Sequence, residues 1–126
     1  MTDFLRSRIA SFRYAFSGWW YVLRTQRNAW IHALITVTVI VLGIWLKIGA
    51  YDWLFLLVAA GFVWFAEFLN TALEAVVDLA SPAHHPLAKV GKDVGAAAVL
   101  IAAGVALVIG AVVLGPPLLL MFSSLR

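Results

Sequence analysis

Glu67, Asn70, Glu74 and Asp78 punctuate an otherwise apolar run, FVWFAEFLNTALEAVVDLA. At about 100° per residue these four positions fall within roughly 80° of one another around a helix, so their side chains leave one face. Carboxylates in a helix apolar enough for a bilayer are costly, turn toward protein or water, and mark function by default. Magnesium is commonly held by one or two carboxylates together with phosphate oxygens and water, and Glu74 and Asp78 are spaced for that. Lys89 and Lys92, a little further on, supply positive charge for phosphate oxygens. Glu67, the deepest of the row, is suited to accept a proton from a lipid hydroxyl. In-line phosphoryl transfer asks mainly for positioning and charge neutralisation. The sequence has no GxxxxGK[ST] or GxGxxG loop, so a nucleotide would have to be held in some other way.

The elements that must carry this row are those of a membrane protein. Of the 126 residues, 64% are hydrophobic and 12% charged, with a mean hydropathy of +1.00, outside the soluble globular range. So short a chain holds one small domain, residues 1–126, and its apolar exterior invites lipid contact and self-association. The absence of cysteine excludes disulfides, thiol nucleophiles and thiolate metal sites. Residues 4–24 alternate aromatic and aliphatic positions with Arg6, Arg8, Arg13 and Arg24, which fits an interfacial helix anchored by Trp19, Trp20 and Tyr21. Transmembrane helices are expected over residues 30–48, 53–79 and 95–114, each long enough for the roughly 30 Å hydrocarbon core. Gly49, Ala50 and Asp52 read as a turn and the Pro-bounded SPAHHP as the start of a polar connection reaching Asp93; GPP and a short tail follow the third span. Small residues from Gly95 to Gly104 suit close helix approach.

Basic residues set the expected orientation. Arg6, Arg8, Arg13, Arg24, Arg27, Lys89 and Lys92 fall on one side of the spans, against Lys47 and Arg126 on the other. The positive-inside rule then puts the N-terminus and the 81–93 connection in the cytoplasm, at the cell inner (plasma) membrane. Asp78 would sit at the cytoplasmic surface and Glu67 roughly 16 Å deeper, at 1.5 Å per residue.

The stretch from Glu67 through Asn70, Thr71, Glu74 and Asp78, followed by His85, Lys92-Asp93 and Gly95-Ala-Ala-Ala-Val-Leu, resembles the signature of the small prokaryotic diacylglycerol kinases, a family that includes undecaprenol kinases. Residues 11–32 are similar to the segment before the first span in the undecaprenol kinase branch, and Arg27-Asn28-x-x-Ile31-His32 leans the same way. The resemblance implies a homotrimer of three-span subunits with active sites between subunits, moving the γ-phosphate of ATP to a lipid alcohol with Mg²⁺. It implies Glu67 as base, Asn70 as a positioning group, Glu74 as metal ligand, and Lys92 with Asp93 in nucleotide binding; Asp78 and His85 match motif positions. No nucleic-acid partner is expected.

Two positions depart from the family pattern. Gln26 stands where an acidic metal ligand is common, and a neutral amide offers a carbonyl oxygen without charge. Ala88-Lys89-Val90-Gly91 replaces a Ser-Gly-Arg run, with Lys89 as the substitute cation. Simpler roles compete. Asn70 could be interhelical glue, Asp78 a helix cap, His84 and His85 polar loop, Arg6, Arg8 and Arg13 contacts to anionic lipid, and Lys47 a snorkelling cation. A small ion- or proton-conducting oligomer lined by Glu67, Glu74 and Asp78 is the alternative function. It would leave Lys92-Asp93 without a use.

Overall fold

A computed structural model describes residues 2–83 and 85–123. His84 and Arg126, named above, lie outside the described residues. The described chain is helical throughout: α1 Thr2–Thr25, α2 Arg27–Trp45, α3 Ala50–Ala80 and α4 Pro86–Ser123. The last three are long and apolar enough to cross a bilayer, with mean hydropathies of 1.8, 1.7 and 2.9. Their outer faces carry exposed Leu, Ile, Val and Phe side chains, as lipid-facing surfaces do.

α1 and α2 are separated by a single non-helical residue. Gln26 adopts an extended backbone at φ −102° and ψ 114°, and its N–H still donates to Val22 O at 2.9 Å. Val22 and Ala29 are buried on either side of this joint.

α2 stops at Trp45, short of Ile48, because its end is closed by a Schellman arrangement. The N–H of Ile48 donates to Gly43 O and that of Lys47 to Ile44 O, both at 3.2 Å, while Lys47 takes the left-handed conformation at φ 51°. α3 then starts at Ala50, earlier than expected, since the Asp52 carboxylate accepts the Gly49 N–H at 3.1 Å and caps it. The α2–α3 hairpin closes tightly here: a Cβ on Gly43 would lie 2.8 Å from the Trp53 ring.

The connection expected to run from Ser81 to Asp93 is short. α4 begins at Pro86, a residue preorganised for the first helical position. His85 caps that start, its Nδ1 accepting the Leu87 N–H and its carbonyl the Lys89 N–H, each at 3.2 Å. Lys89, Lys92 and Asp93 are therefore helical residues and not loop residues.

The helix that carries the third span runs on past residue 114. α4 continues through Pro116 and Pro117 to Ser123. Proline deprives only the carbonyls one turn earlier of their donors, and apolar surroundings offer the backbone no water to turn to in place of the helix.

Helices α3 and α4 form the main packing pair. At Gly95 they come so close that a Cβ there would collide with the Asn70 Oδ1, with Leu73 Cδ2 at 3.1 Å. Buried Leu56, Ala59 and Val63 of α3, with Val99, Ala102 and Leu114 of α4, make up most of the apolar core. Trp19 of α1 packs on α3, its ring 4.9 Å from Trp64 and 4.7 Å from Phe68.

Candidate active site on the inner face of helix 3

A 31-residue helix, α3, carries the whole polar row, which grades from buried Glu67 and Asn70 through half-buried Glu74 to exposed Asp78. Glu67, Asn70 and Thr71 are its buried polar residues, Glu67 at 1% exposure. Thr71 satisfies itself by donating to Glu67 O at 2.8 Å. The other two reach across to neighbouring helices.

Glu74 is the hub. Its Oε1 accepts from Asn70 Nδ2 at 3.2 Å, one turn along the same helix. Its Oε2 accepts from Gln26 Nε2 at 2.9 Å. The helix break at Gln26 thus sets a side chain from the α1–α2 joint beside a carboxylate 48 positions later in the chain. Asn70 Oδ1, turned toward Gly95, is buried without a hydrogen-bond partner among the described residues.

Glu67 faces His32 of α2, with Oε2 3.7 Å from Nε2 and side-chain exposures of 1% and 11%. Neither Glu67 oxygen nor the His32 Nε2 has a hydrogen-bond partner among the described residues. One turn further along α2, Thr36 donates to His32 O at 2.7 Å and accepts from Trp64 Nε1 at 3.1 Å. His32 and Thr36 are the polar part of the wall of an otherwise aliphatic cavity of about 560 Å³ between α2, α3 and α4.

At the other end of the row, Lys92 Nζ meets Asp78 Oδ1 at 2.6 Å, linking α4 to α3. Lys89 and Asp93 pair at 2.6 Å along α4. Both pairs are well exposed, so they orient charge at the surface more than they stabilise the fold.

Glu67, Asn70, Glu74 and Gln26 therefore cluster inside the helices, and Asp78 with Lys92 at their rim, while Lys89 and Asp93 are engaged with each other and His85 with the helix start. Sequence reasoning did not single out His32 as a site residue. It carried the same signal as Glu67, an ionisable group within an apolar helix.

The donor set at Glu74 suits a hard cation. The Glu74 carboxylate is a hard oxygen donor of the kind magnesium prefers, with Gln26 and Asn70 turning their amide N–H groups to it and the amide oxygen of Gln26 available to a cation once that side chain is turned over. Among the described residues no three His, Cys, Asp or Glu side chains converge, so phosphate oxygens and water would have to fill most of the coordination sphere.

Three apolar helices long enough to span a bilayer, with Glu67 buried between them and Asp78 and Lys92 at an exposed rim, define a multi-pass membrane protein. The family model described as "Prokaryotic diacylglycerol kinase" matches residues 13–114. The chain is 37% identical over 108 residues to the undecaprenol kinase of Bacillus subtilis, covering 86% of this chain and 88% of that one. It is 45% identical over 112 residues to a diacylglycerol kinase of Synechocystis, covering 88% of this chain but only 64% of that longer relative. The diacylglycerol kinase of Escherichia coli K12 is 35% identical over 95 residues, 70% of this chain and 78% of that one. The chain belongs to the prokaryotic diacylglycerol kinase family. It is a membrane lipid kinase with ATP as co-substrate, and nothing in these likenesses favours the ion-conducting alternative.

Proposed function

We propose that this protein transfers the γ-phosphate of ATP to the hydroxyl of undecaprenol, with diacylglycerol as the competing acceptor, at the cytoplasmic face of the cell inner membrane. The observation that carries the reading is the acidic row on α3, buried at Glu67 and open at Asp78. An unpartnered Glu67 carboxylate lies deep between apolar helices, and the bridged Glu74 lies two turns nearer the lysine rim.

In this reading the lipid hydroxyl approaches Glu67. Its oxygen forms a bond to the γ-phosphorus while the bond from that phosphorus to the β,γ-bridging oxygen breaks, and ADP departs. Glu67 takes the hydroxyl proton. Glu74, with the Gln26 amide oxygen, would hold Mg²⁺, which supplies charge neutralisation on the phosphates when bound. Asn70 keeps Glu74 turned toward Gln26 by its own hydrogen bond. Lys92, held by Asp78, presents a cation for phosphate oxygens, with Lys89, Asp93 and His85 shaping the same helix start. The basic residues of α1 and of the α4 start favour a cytoplasmic rim, and α1 then lies along the membrane surface with Phe12 and Phe16 exposed to lipid. Apolar outer faces on α2, α3 and α4 support assembly with further copies, as a homotrimer.

The leaning toward undecaprenol rests on the Bacillus subtilis relative, whose length this chain covers most fully of the three compared. The test is ATP- and Mg²⁺-dependent phosphorylation by purified protein in mixed micelles, with undecaprenol and diacylglycerol side by side and Glu67→Gln as control. Transfer to undecaprenol at the higher kcat/KM, abolished by the substitution, is the expected result. Transfer that survives Glu67→Gln would remove the base from the mechanism, and preference for diacylglycerol would reverse the acceptor assignment.

A further inference from the structure

Glu67 has an oxygen to spare, and the group facing the other one belongs to a different helix. We propose that His32 is a positioning residue for Glu67: its Nε2–H engages Oε2 and holds the carboxylate with Oε1 free for the lipid hydroxyl. The inference rests on the kinase reading above, with Glu67 as base.

Three observations support it. Nε2 and Oε2 are 3.7 Å apart, within ion-pair reach and slightly beyond a hydrogen bond. Both groups are buried, and neither has another hydrogen-bond partner among the described residues. A buried donor and a buried acceptor left unmade are each costly, so a small side-chain rotation that joins them is favourable.

His32 is also held in place from behind. Trp64 and Thr36 tie α3 to α2 one turn along from the His32–Glu67 level, and Thr36 bonds back to the His32 carbonyl. The register that sets the imidazole against the carboxylate is therefore fixed by a second, independent contact.

His32 stands, finally, between Glu67 and an aliphatic cavity. His32 lines the cavity of about 560 Å³, whose remaining wall apart from Thr36 includes Val39, Leu56, Leu107 and Leu114. Among the described residues the Glu67 carboxylate, on a three-torsion side chain, has no other group to fix it. Displacement of a reacting group by about 1 Å is worth roughly 100-fold in rate.

The test compares His32→Phe, which keeps a ring but loses the donor, with His32→Gln, which returns an N–H at nearly the Nε2 reach. Thr38→Val, on the exposed side of the same helix, serves as the control with wild-type activity. In the micelle assay His32→Phe is expected to lower kcat roughly 10- to 100-fold with the KM for ATP unchanged, and His32→Gln to restore kcat to within about fivefold of wild type. Infrared difference spectra give a readout that folding alone does not move: the carboxyl band that disappears in Glu67→Gln should shift in His32→Phe. Wild-type kcat in His32→Phe, an unshifted carboxyl band, or a folded His32→Gln no better than His32→Phe would each overturn the assignment. Should His32→Phe not fold, His32→Gln and its band position still decide the matter. Activity remaining in Glu67→Gln would instead overturn the base assignment, a failure told apart because it does not involve His32.

Discussion

Gln26 donates from Nε2 to Glu74 Oε2 at 2.9 Å, joining the break between the first two helices to the middle of the site. The bond depends on Gln26 lying outside both helices, since its extended backbone turns the side chain toward α3. It makes a neutral residue the partner of a carboxylate where the family commonly has a second acid.

Replacing that amide by an acid should therefore change the metal dependence. Gln26→Glu sets two carboxylates against each other, which repel until a cation lies between them. The Mg²⁺ concentration for half-maximal activity is expected to fall roughly tenfold, while the melting temperature without Mg²⁺ drops; titration of activity and a thermal melt in detergent check both. Gln26→Leu should lower activity without a gain in Mg²⁺ affinity.

Close approach of α4 to Asn70 predicts a sharp glycine requirement. Gly95→Ala drives a methyl group into Asn70 Oδ1, at about 1 to 3 kcal/mol for an overpacked site, and displaces Asn70 from Glu74. Gly61→Ala, at a glycine with open space around it, should leave stability and activity near wild type. Detergent melts and kcat on the two variants distinguish a local collision from a general intolerance of alanine.

Lys47 occupies a conformation that suits glycine better. Its φ of 51° at the Schellman end of α2 predicts that Lys47→Gly stabilises the hairpin by about 1 kcal/mol, read as a raised melting temperature with kcat unchanged.

The Lys92–Asp78 pair bridges α4 and α3 but is open to solvent, so its loss should show in catalysis and not in folding. Lys92→Ala is expected to raise the KM for ATP roughly tenfold with little change in the melting temperature. A large destabilisation with unaltered ATP dependence would make the pair structural.

Trp19 attaches the first helix through Trp64 and Phe68. Trp19→Ala removes about 0.5 to 1.5 kcal/mol of ring contact beyond the lost area, and trypsin should then cut faster at Arg13 and Arg24 than in the wild-type protein.

The sequence by itself determined the helical membrane class and the common face of Glu67, Asn70, Glu74 and Asp78, because hydropathy and the 3.6-residue period are local properties of a chain, while the kinase family was legible only through the resemblance of its motif. Helix ends were less legible. Capping by His85, Asp52 and the Lys47 turn moved them by several residues, and Pro116 and Pro117 were tolerated where water cannot compete for the backbone. What only the tertiary structure decided is which distant residues face the row. Gln26 meets Glu74, His32 meets Glu67 and Gly95 meets Asn70. Those encounters depend on the rotation and register of one helix against another, set by side-chain packing summed over their whole length, and no periodicity within a single segment encodes them.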